Sequence, residues 1–203
     1  MNSPNIDNVY LVDDDQDVLE SLSWMLEGLG IQPACYQSAD AFLTQTDIHQ
    51  AGVAVLDINM PGMDGMELLE TLKQRNSPIR VIMLTGQGTI ALAVKSIQFG
   101  ALDFLEKPVD GDKLLTLLEQ GIKQSQELAE SLVHKTQITT RLESLTRREK
   151  EVLSGILDGK MNKVIAAELG IAQRTIELHR QKVMSKMSAG SVAELTSMIN
   201  AVH

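Results

Sequence analysis

Two short apolar runs in this sequence end on carboxylates. Val9-Tyr10-Leu11-Val12 leads into Asp13-Asp14-Asp15, and Val53-Ala54-Val55-Leu56 leads into Asp57. Carboxylates gathered at one place repel, and the arrangement is costly unless a hard divalent cation is shared among them; Mg²⁺ typically takes one or two carboxylates with waters and a phosphate oxygen. Two further apolar runs each deliver one polar side chain: Arg80-Val81-Ile82-Met83-Leu84 stops at Thr85, and Leu102-Asp103-Phe104-Leu105 stops just before Glu106-Lys107. A hydroxyl and an ammonium facing an acidic metal pocket suit a phosphoryl group, because catalysis of its transfer is mostly positioning and charge neutralisation. Taken singly, each has a plainer use: Asp13 to Asp15 and Thr85 as helix caps, and Lys107 as a surface charge.

To act together, these side chains need strands whose carboxyl ends share one edge of a sheet. The uninterrupted apolar run before Asp57 suits a strand buried on both faces, as in parallel sheets with helices on either side. Met60-Pro61-Gly62 then breaks the strand with turn chemistry, leaving Asp57 where open α/β sheets place their ligands. Strand and helix patterns alternate through the first half of the chain, which favours a parallel sheet. The patterns predict helices over Gln16 to Leu29, Ala39 to Thr46, Asp64 to Gln74, Thr89 to Phe99 and Gly111 onward, with a second strand near Gln32 to Tyr36, all with boundaries good to about two to four residues. Gly86-Gln87-Gly88 lacks the third spaced glycine of a dinucleotide fingerprint and follows the fourth strand, so it is set aside.

Residues 8 to about 123 resemble the receiver domain of bacterial two-component response regulators. The resemblance rests on Val12-Asp13-Asp14, Leu56-Asp57-Ile58-Asn59-Met60-Pro61-Gly62-Met63-Asp64-Gly65, Thr85-Gly86, Gly100-Ala101 and Lys107-Pro108, in order and at family-like spacing. It implies a flavodoxin-like, doubly wound five-stranded parallel sheet in the order 2-1-3-4-5. It also implies that Asp57 is the phosphoacceptor, that Asp13 and Asp14 hold Mg²⁺ with Asp57 and the Asn59 backbone carbonyl, that Lys107 pairs with the phosphoryl group, and that Thr85 and Phe104 form a switch. Phenylalanine stands at 104 where the family often has tyrosine, which removes a hydroxyl and keeps the packing.

From Gly111 to Leu145 the composition turns to Gln, Glu, Ser, Thr and Leu. Leu114, Leu118, Ile122, Ala129, Leu132 and Leu142 recur at spacings compatible with one helical face, so the helix from Gly111 can run on into the linker. The Gln and Thr content of residues 134 to 141 equally permits a flexible linker.

The last 60 residues read as helices only. Thr146 with Glu149 forms a capping-box pattern ahead of Val152, Leu153, Ile156 and Leu157, and Gly159 stops that helix. A second short helix holds Val164, Ile165, Ala167 and Leu169 and stops at Gly170; a third runs from near Ala172 through Met187. Helix, Gly-containing turn and longer helix make a helix-turn-helix. The third helix is expected to set Arg174, Thr175, His179, Arg180, Lys182 and Lys186 at solvent-accessible positions suited to phosphates and base edges, although His179 also fits a buried core role.

Leu145-Thr146-x-x-Glu149-x-x-Val152-Leu153, Gly159-x-x-Asn162-Lys163-x-Ile165-Ala166 and Arg174-Thr175-Ile176-Glu177-x-His179-Arg180 with Lys182 and Lys186-Met187 resemble the LuxR-type DNA-binding domain. The wording around Val152-Leu153-Ser154-Gly155 and Val183-Met184-x-Lys186-Met187 is most similar to the FixJ subgroup. This implies DNA contacts by Asn162, Lys163 and the third-helix residues.

Charge is divided in the same way. Residues 1–123 carry 7 Lys and Arg against 18 Asp and Glu, whereas residues 144–203 carry 9 against 6. The acidic part is not expected to bind nucleic acid; the C-terminal part suits it if its basic residues share a face. Cys35 is the only cysteine, which excludes an internal disulfide, and its apolar setting reads as core packing. The first Lys or Arg is Lys73 and no apolar run approaches membrane-spanning length, so a secretory signal and a membrane span are not expected and the protein is expected in the cytoplasm.

The expected organisation is a receiver over 1–123, a helical or partly flexible linker over 124–143, and a helix-turn-helix domain over 144–203. The expected protein is a phosphorylation-activated transcription regulator of the FixJ/NarL class, partnered by a sensor histidine kinase, double-stranded promoter DNA, a second copy of itself on phosphorylation, and RNA polymerase. It is not an enzyme beyond Mg-dependent phosphorylation and dephosphorylation of its own receiver. Two other classes stay open: a haloacid-dehalogenase-like phosphatase, whose second Asp would stand where this chain has Asn59, and a relay protein whose helical tail no longer touches DNA.

Overall fold

The computed structural model describes residues 8–86 and 90–202, and the chain forms two compact units, Met1–Glu130 and Ser131–His203. The expected helix start at Thr89 and most of the Gly86-Gln87-Gly88 stretch lie outside the described residues.

In the first unit five strands, β1 (Val9–Val12), β2 (Ala34–Tyr36), β3 (Val53–Asp57), β4 (Arg80–Thr85) and β5 (Asp103–Glu106), lie in the order β2-β1-β3-β4-β5. All four pairings are parallel. Helices α1 (Gln16–Gly28), α2 (Ala39–Gln45), α3 (Gly65–Gln74), α4 (Ile90–Phe99) and α5 (Gly111–Glu143) alternate with them. Successive strand side chains point to opposite faces. Leu11, Val55 and Leu84 accordingly join Leu22 of α1 and Leu118 of α5, while Val12, Leu56 and Met83 join Phe42 of α2 and Leu68 of α3. Burial on both faces explains why β1, β3 and β4 read as unbroken apolar runs.

Cys35 corrects an expectation. It lies on β2, an edge strand, and is exposed rather than part of the core. An edge strand has one lateral side unpaired and less cover than a central one, so apolar neighbours in sequence do not guarantee burial.

Helix α5 is continuous from Gly111 to Glu143, which decides between the helical and flexible readings of residues 134–141. The hydroxyls of Thr136, Thr139 and Thr140 each donate to the carbonyl four residues earlier, so this threonine-rich stretch stays helical without solvent or loop partners for those groups. Ile138, fully buried, enters the core of the second unit. Within the first unit, Ser125 is fully buried; its hydroxyl accepts from the Gly52 amide at 2.8 Å and donates to the Pro78 carbonyl at 2.7 Å. The division between compact units falls inside α5, within the 124–143 segment expected as a linker.

The second unit adds α6 (Arg147–Leu157), α7 (Asn162–Leu169), α8 (Gln173–Met187) and α9 (Val192–Asn200). Thr146 and Glu149 form the expected capping box on α6, and Gly170 closes α7 in the left-handed conformation at φ 65°. Both α6 and α7 pack on α8 around Val152, Ile165, Ile176 and Val183. Helix α9 was not singled out from sequence. Its signal was present: Ser191 caps it by accepting from the Glu194 amide, and Leu195, Met198 and Ile199 form its buried side.

Candidate functional site

The carboxyl ends of β1, β3, β4 and β5 meet at one edge of the sheet. Register sets them there: Val12 stands opposite Leu56, Asp57 opposite Leu84, and Thr85 opposite Glu106. The chain leaves β3 through Gly62, at φ 82°, and enters α3 at Gly65. A Cβ at Gly65 would lie 2.2 Å from the Asp57 carbonyl oxygen, so only glycine lets α3 start this close to the strand end.

Asp57 is 5% exposed and Asp13 2% exposed. The Lys107 ammonium bridges them, 2.7 Å from Asp57 Oδ1 and 2.6 Å from Asp13 Oδ2. The other Asp57 oxygen accepts from the Asn59 amide at 2.6 Å. Asp14 is exposed, and one oxygen from each of Asp13, Asp14 and Asp57 lies within 4.8 Å of the others. The third acid of the run serves the helix instead, since Asp15 caps α1 by accepting from the Asp17 amide. Thr85 is fully buried and Phe104 half-buried against the core containing Leu68 and Met83.

The electrostatics follow from this crowding. Burial, helped by the Asp57 charge, pushes the Asp13 carboxyl up despite its bonds to Lys107 and the Asp15 amide. Burial pulls the Lys107 ammonium down, but the hydrogen bonds to Asp13 and Asp57 outweigh it and the group ends above its ordinary value. With all three carboxylates ionised, one ammonium leaves two negative charges uncompensated. An all-oxygen donor set with that excess fits a hard divalent cation such as Mg²⁺.

The family of response regulator receiver domains matches residues 9–119, and that of bacterial regulatory proteins of the luxR family matches residues 143–199. The chain belongs to the response regulators. This response regulator is 39% identical to the transcriptional regulatory protein FixJ of Bradyrhizobium diazoefficiens, over 94% of this chain and 93% of that protein. It is 40% identical to the tetrathionate response regulatory protein TtrR of Salmonella typhimurium, over 92% of this chain and 89% of the other. Among solved structures, the response regulator StyR superposes with a TM-score of 0.81 at 37% identity, covering 95% of this chain and 98% of that one. Full-length FixJ from B. japonicum gives 0.57 at 38% identity, with 96% of each chain covered. The regulator thus joins a receiver to a LuxR-type DNA-binding domain, as its relatives in two-component transcriptional control do.

In the DNA-binding domain the expected contact residues separate into groups. Lys163, Arg174 and Lys182 are exposed, and Asn162 begins α7 half-buried. Thr175, His179, Arg180 and Lys186 are half-buried instead of standing out from α8. His179 Nδ1 is buried with no hydrogen-bond partner. Lys186 is occupied within the domain: its ammonium lies 2.7 Å from Glu149 Oε2 and donates to the Ser144 carbonyl at 3.0 Å. No helix among the described residues is long and apolar enough to cross a membrane.

Proposed function

We propose that Asp57 accepts a phosphoryl group from a sensor histidine kinase and that this modification controls promoter binding by the LuxR-type domain. The observation that carries the reading is the buried Asp57 carboxylate, held at the end of β3 by Lys107 and the Asn59 amide beside Asp13 and Asp14. Asp13, Asp14, Asp57 and the Asn59 carbonyl would hold Mg²⁺. Bound there, the ion supplies charge neutralisation for the phosphoryl oxygens.

The chain's own groups do the rest. An Asp57 carboxylate oxygen attacks the phosphorus of the donor's phosphohistidine; the O–P bond forms, the P–N bond breaks, and the imidazole leaves with a proton. Lys107, already on Asp57 and fixed from its other side by Asp13, is placed to neutralise a phosphoryl oxygen. The same site would later release phosphate by attack of water, which is the only hydrolysis proposed for this protein. Thr85, at the end of the neighbouring strand, would turn its hydroxyl to the phosphoryl group, and Phe104 would repack with it. Such a shift favours one of two receiver states by the difference in their affinity for phosphate. Pairing of two phosphorylated copies would then present two DNA-binding domains to an inverted repeat, beside RNA polymerase, in the cytoplasm.

Incubation with Mg²⁺ and acetyl phosphate should add one hydroxylamine-labile phosphate per chain, and Asp57→Asn should take up none. Equal labelling of that variant would refute the assignment.

A further inference from the structure

Helix α8 ends in a way that its own sequence does not secure. The last carbonyls of a helix have no partner inside it, and the chain leaves α8 through Ser188 at φ 54°, a left-handed conformation that favours glycine. Turn amides take up two of these carbonyls: the Ser188 amide donates to Ser185 and the Ala189 amide to Met184, each at 3.0 Å. The Met187 carbonyl is met from outside. Arg141, half-buried near the end of α5, donates to it from Nη1 at 3.2 Å. A cation at the carboxyl end of a helix also offsets the partial negative charge gathered there.

A second bond runs in the opposite direction. Lys186, in the last turn of α8, donates to the Ser144 carbonyl just past α5 and pairs with Glu149 at the start of α6. The carboxyl ends of α5 and α8 thus hold each other by a cation-to-carbonyl bond from each side. Arg141 lies apart from the exposed cation Lys182. It lines a groove of about 270 Å³ with Ser188 and with Glu194 and Ser197 of α9, whereas Lys182 lines a separate groove with Thr146. A guanidinium bonded to a helix end, with a carboxylate on the same groove, is arranged to hold protein rather than phosphate. What it holds is the second helix of the helix-turn-helix, the element that enters the major groove, where hydrogen bonds tolerate only a few tenths of an ångström.

We infer that Arg141 is a positioning residue for DNA recognition: through the Met187 carbonyl it sets the carboxyl end of α8 against the end of α5, so the alignment of the recognition helix is fixed from outside the helix-turn-helix. Arg141 precedes the segment 143–199 that matches the luxR family, so this support comes from the linker helix and not from that family's own segment. The inference rests on the reading that this domain binds promoter DNA. It gives α5, the helix that Ser125 fastens within the receiver, a grip on the element that meets the DNA.

The test uses the full-length protein activated with beryllofluoride, a duplex that the wild type selects from a random pool, and an unrelated duplex. Arg141→Met should weaken binding to the selected site roughly three- to tenfold, the range of one net hydrogen bond, and binding to the unrelated duplex by less than about twofold. The slope of affinity against salt and the labelling of Asp57 should stay as they are. Arg141→Lys, which keeps a donor and a charge, should recover most of the loss. In DNA-free protein, amide hydrogen exchange at Ser188 and Ala189 should speed several-fold in Arg141→Met, while the amides of the buried Val152 and Ile165 keep their rates. A loss shared equally by both duplexes with a shallower salt slope marks a phosphate contact and overturns the inference. Unchanged affinity for the selected site, unchanged exchange at the end of α8, or faster exchange across the whole domain overturns it as well. A wild type that selects no duplex overturns the DNA-binding reading, and with it the role in recognition, whatever the exchange rates show.

Discussion

Glu149 shows how much one side chain can join. Its carboxylate bonds first to Lys186, then to the Thr146 amide, and is held down to about 2 from an ordinary value of 4.5. A carboxyl lowered on folding contributes stability that is whole above about 4.5 and is lost as pH falls toward about 2. Thermal unfolding of the full chain followed from pH 6 downward should show the C-terminal transition weakening through that window, and Glu149→Gln should flatten the dependence. At neutral pH, Lys186→Met should cost roughly 1–3 kcal/mol in the same unfolding assay, the range for losing a hydrogen bond to a charged partner. The sequence marked Glu149 correctly as a cap. It misassigned the accessibility of Lys186, because a lysine's type says nothing about whether a buried acid waits for it one helix away. Asp13, Asp14, Asp57 and Lys107 were easier to read: the carboxyl ends of parallel strands share one edge of a sheet, and the resemblance to receiver domains implied the strand order that brings the ends of β1, β3 and β5 together.

At the scale of elements, tight approaches and buried bonds decide what can change. Gly65 is one such point, since the atoms a Cβ would meet belong to the Asp57 backbone and cannot swing aside. Gly65→Ala should destabilise the receiver by about 3 kcal/mol and reduce Asp57 labelling with it, as urea melts and phosphate incorporation measured side by side will show. Ser125 is another. Ser125→Ala leaves the Gly52 amide and the Pro78 carbonyl without this partner beneath the sheet, at a cost of about 1–3 kcal/mol in the same assay. Central strands were legible because burial on both faces writes an unbroken apolar run. Edge strand β2 was placed, but the exposure of Cys35 was not legible, since cover depends on neighbours that the local sequence does not name. The continuity of α5 was undecidable from composition alone; Ile138 settles it by joining a core formed by residues that follow it.

For the whole molecule, charge and metal act together. The acidic cluster at the receiver edge is assembled only by folding, so under the proposed function Mg²⁺ should raise the receiver's unfolding midpoint in proportion to the logarithm of its concentration. A hundredfold excess over the dissociation constant corresponds to about 2.7 kcal/mol. Asp14→Ala, exposed and outside the core, should abolish most of that response while folding normally in calorimetry without Mg²⁺. Under the proposed function DNA affinity should fall with salt according to the number of phosphates that the Lys and Arg of residues 144–203 neutralise, and more steeply for a pair of chains than for one.

Helix α5 carries one more consequence, for where the chain can be cut. Between Ser125 and Ile138 not one of its side chains is fully buried, and Val133 to Gln137 are all exposed, so the helix there rests largely on its own backbone bonds, which in isolation are marginal. Limited trypsin digestion should therefore strike first at Lys135, in the middle of the exposed run Val133 to Gln137. The first fragment released would keep Ser125 and its two bonds, and with them a complete receiver; Lys135→Gln should delay that first cleavage without changing the melting point of either unit.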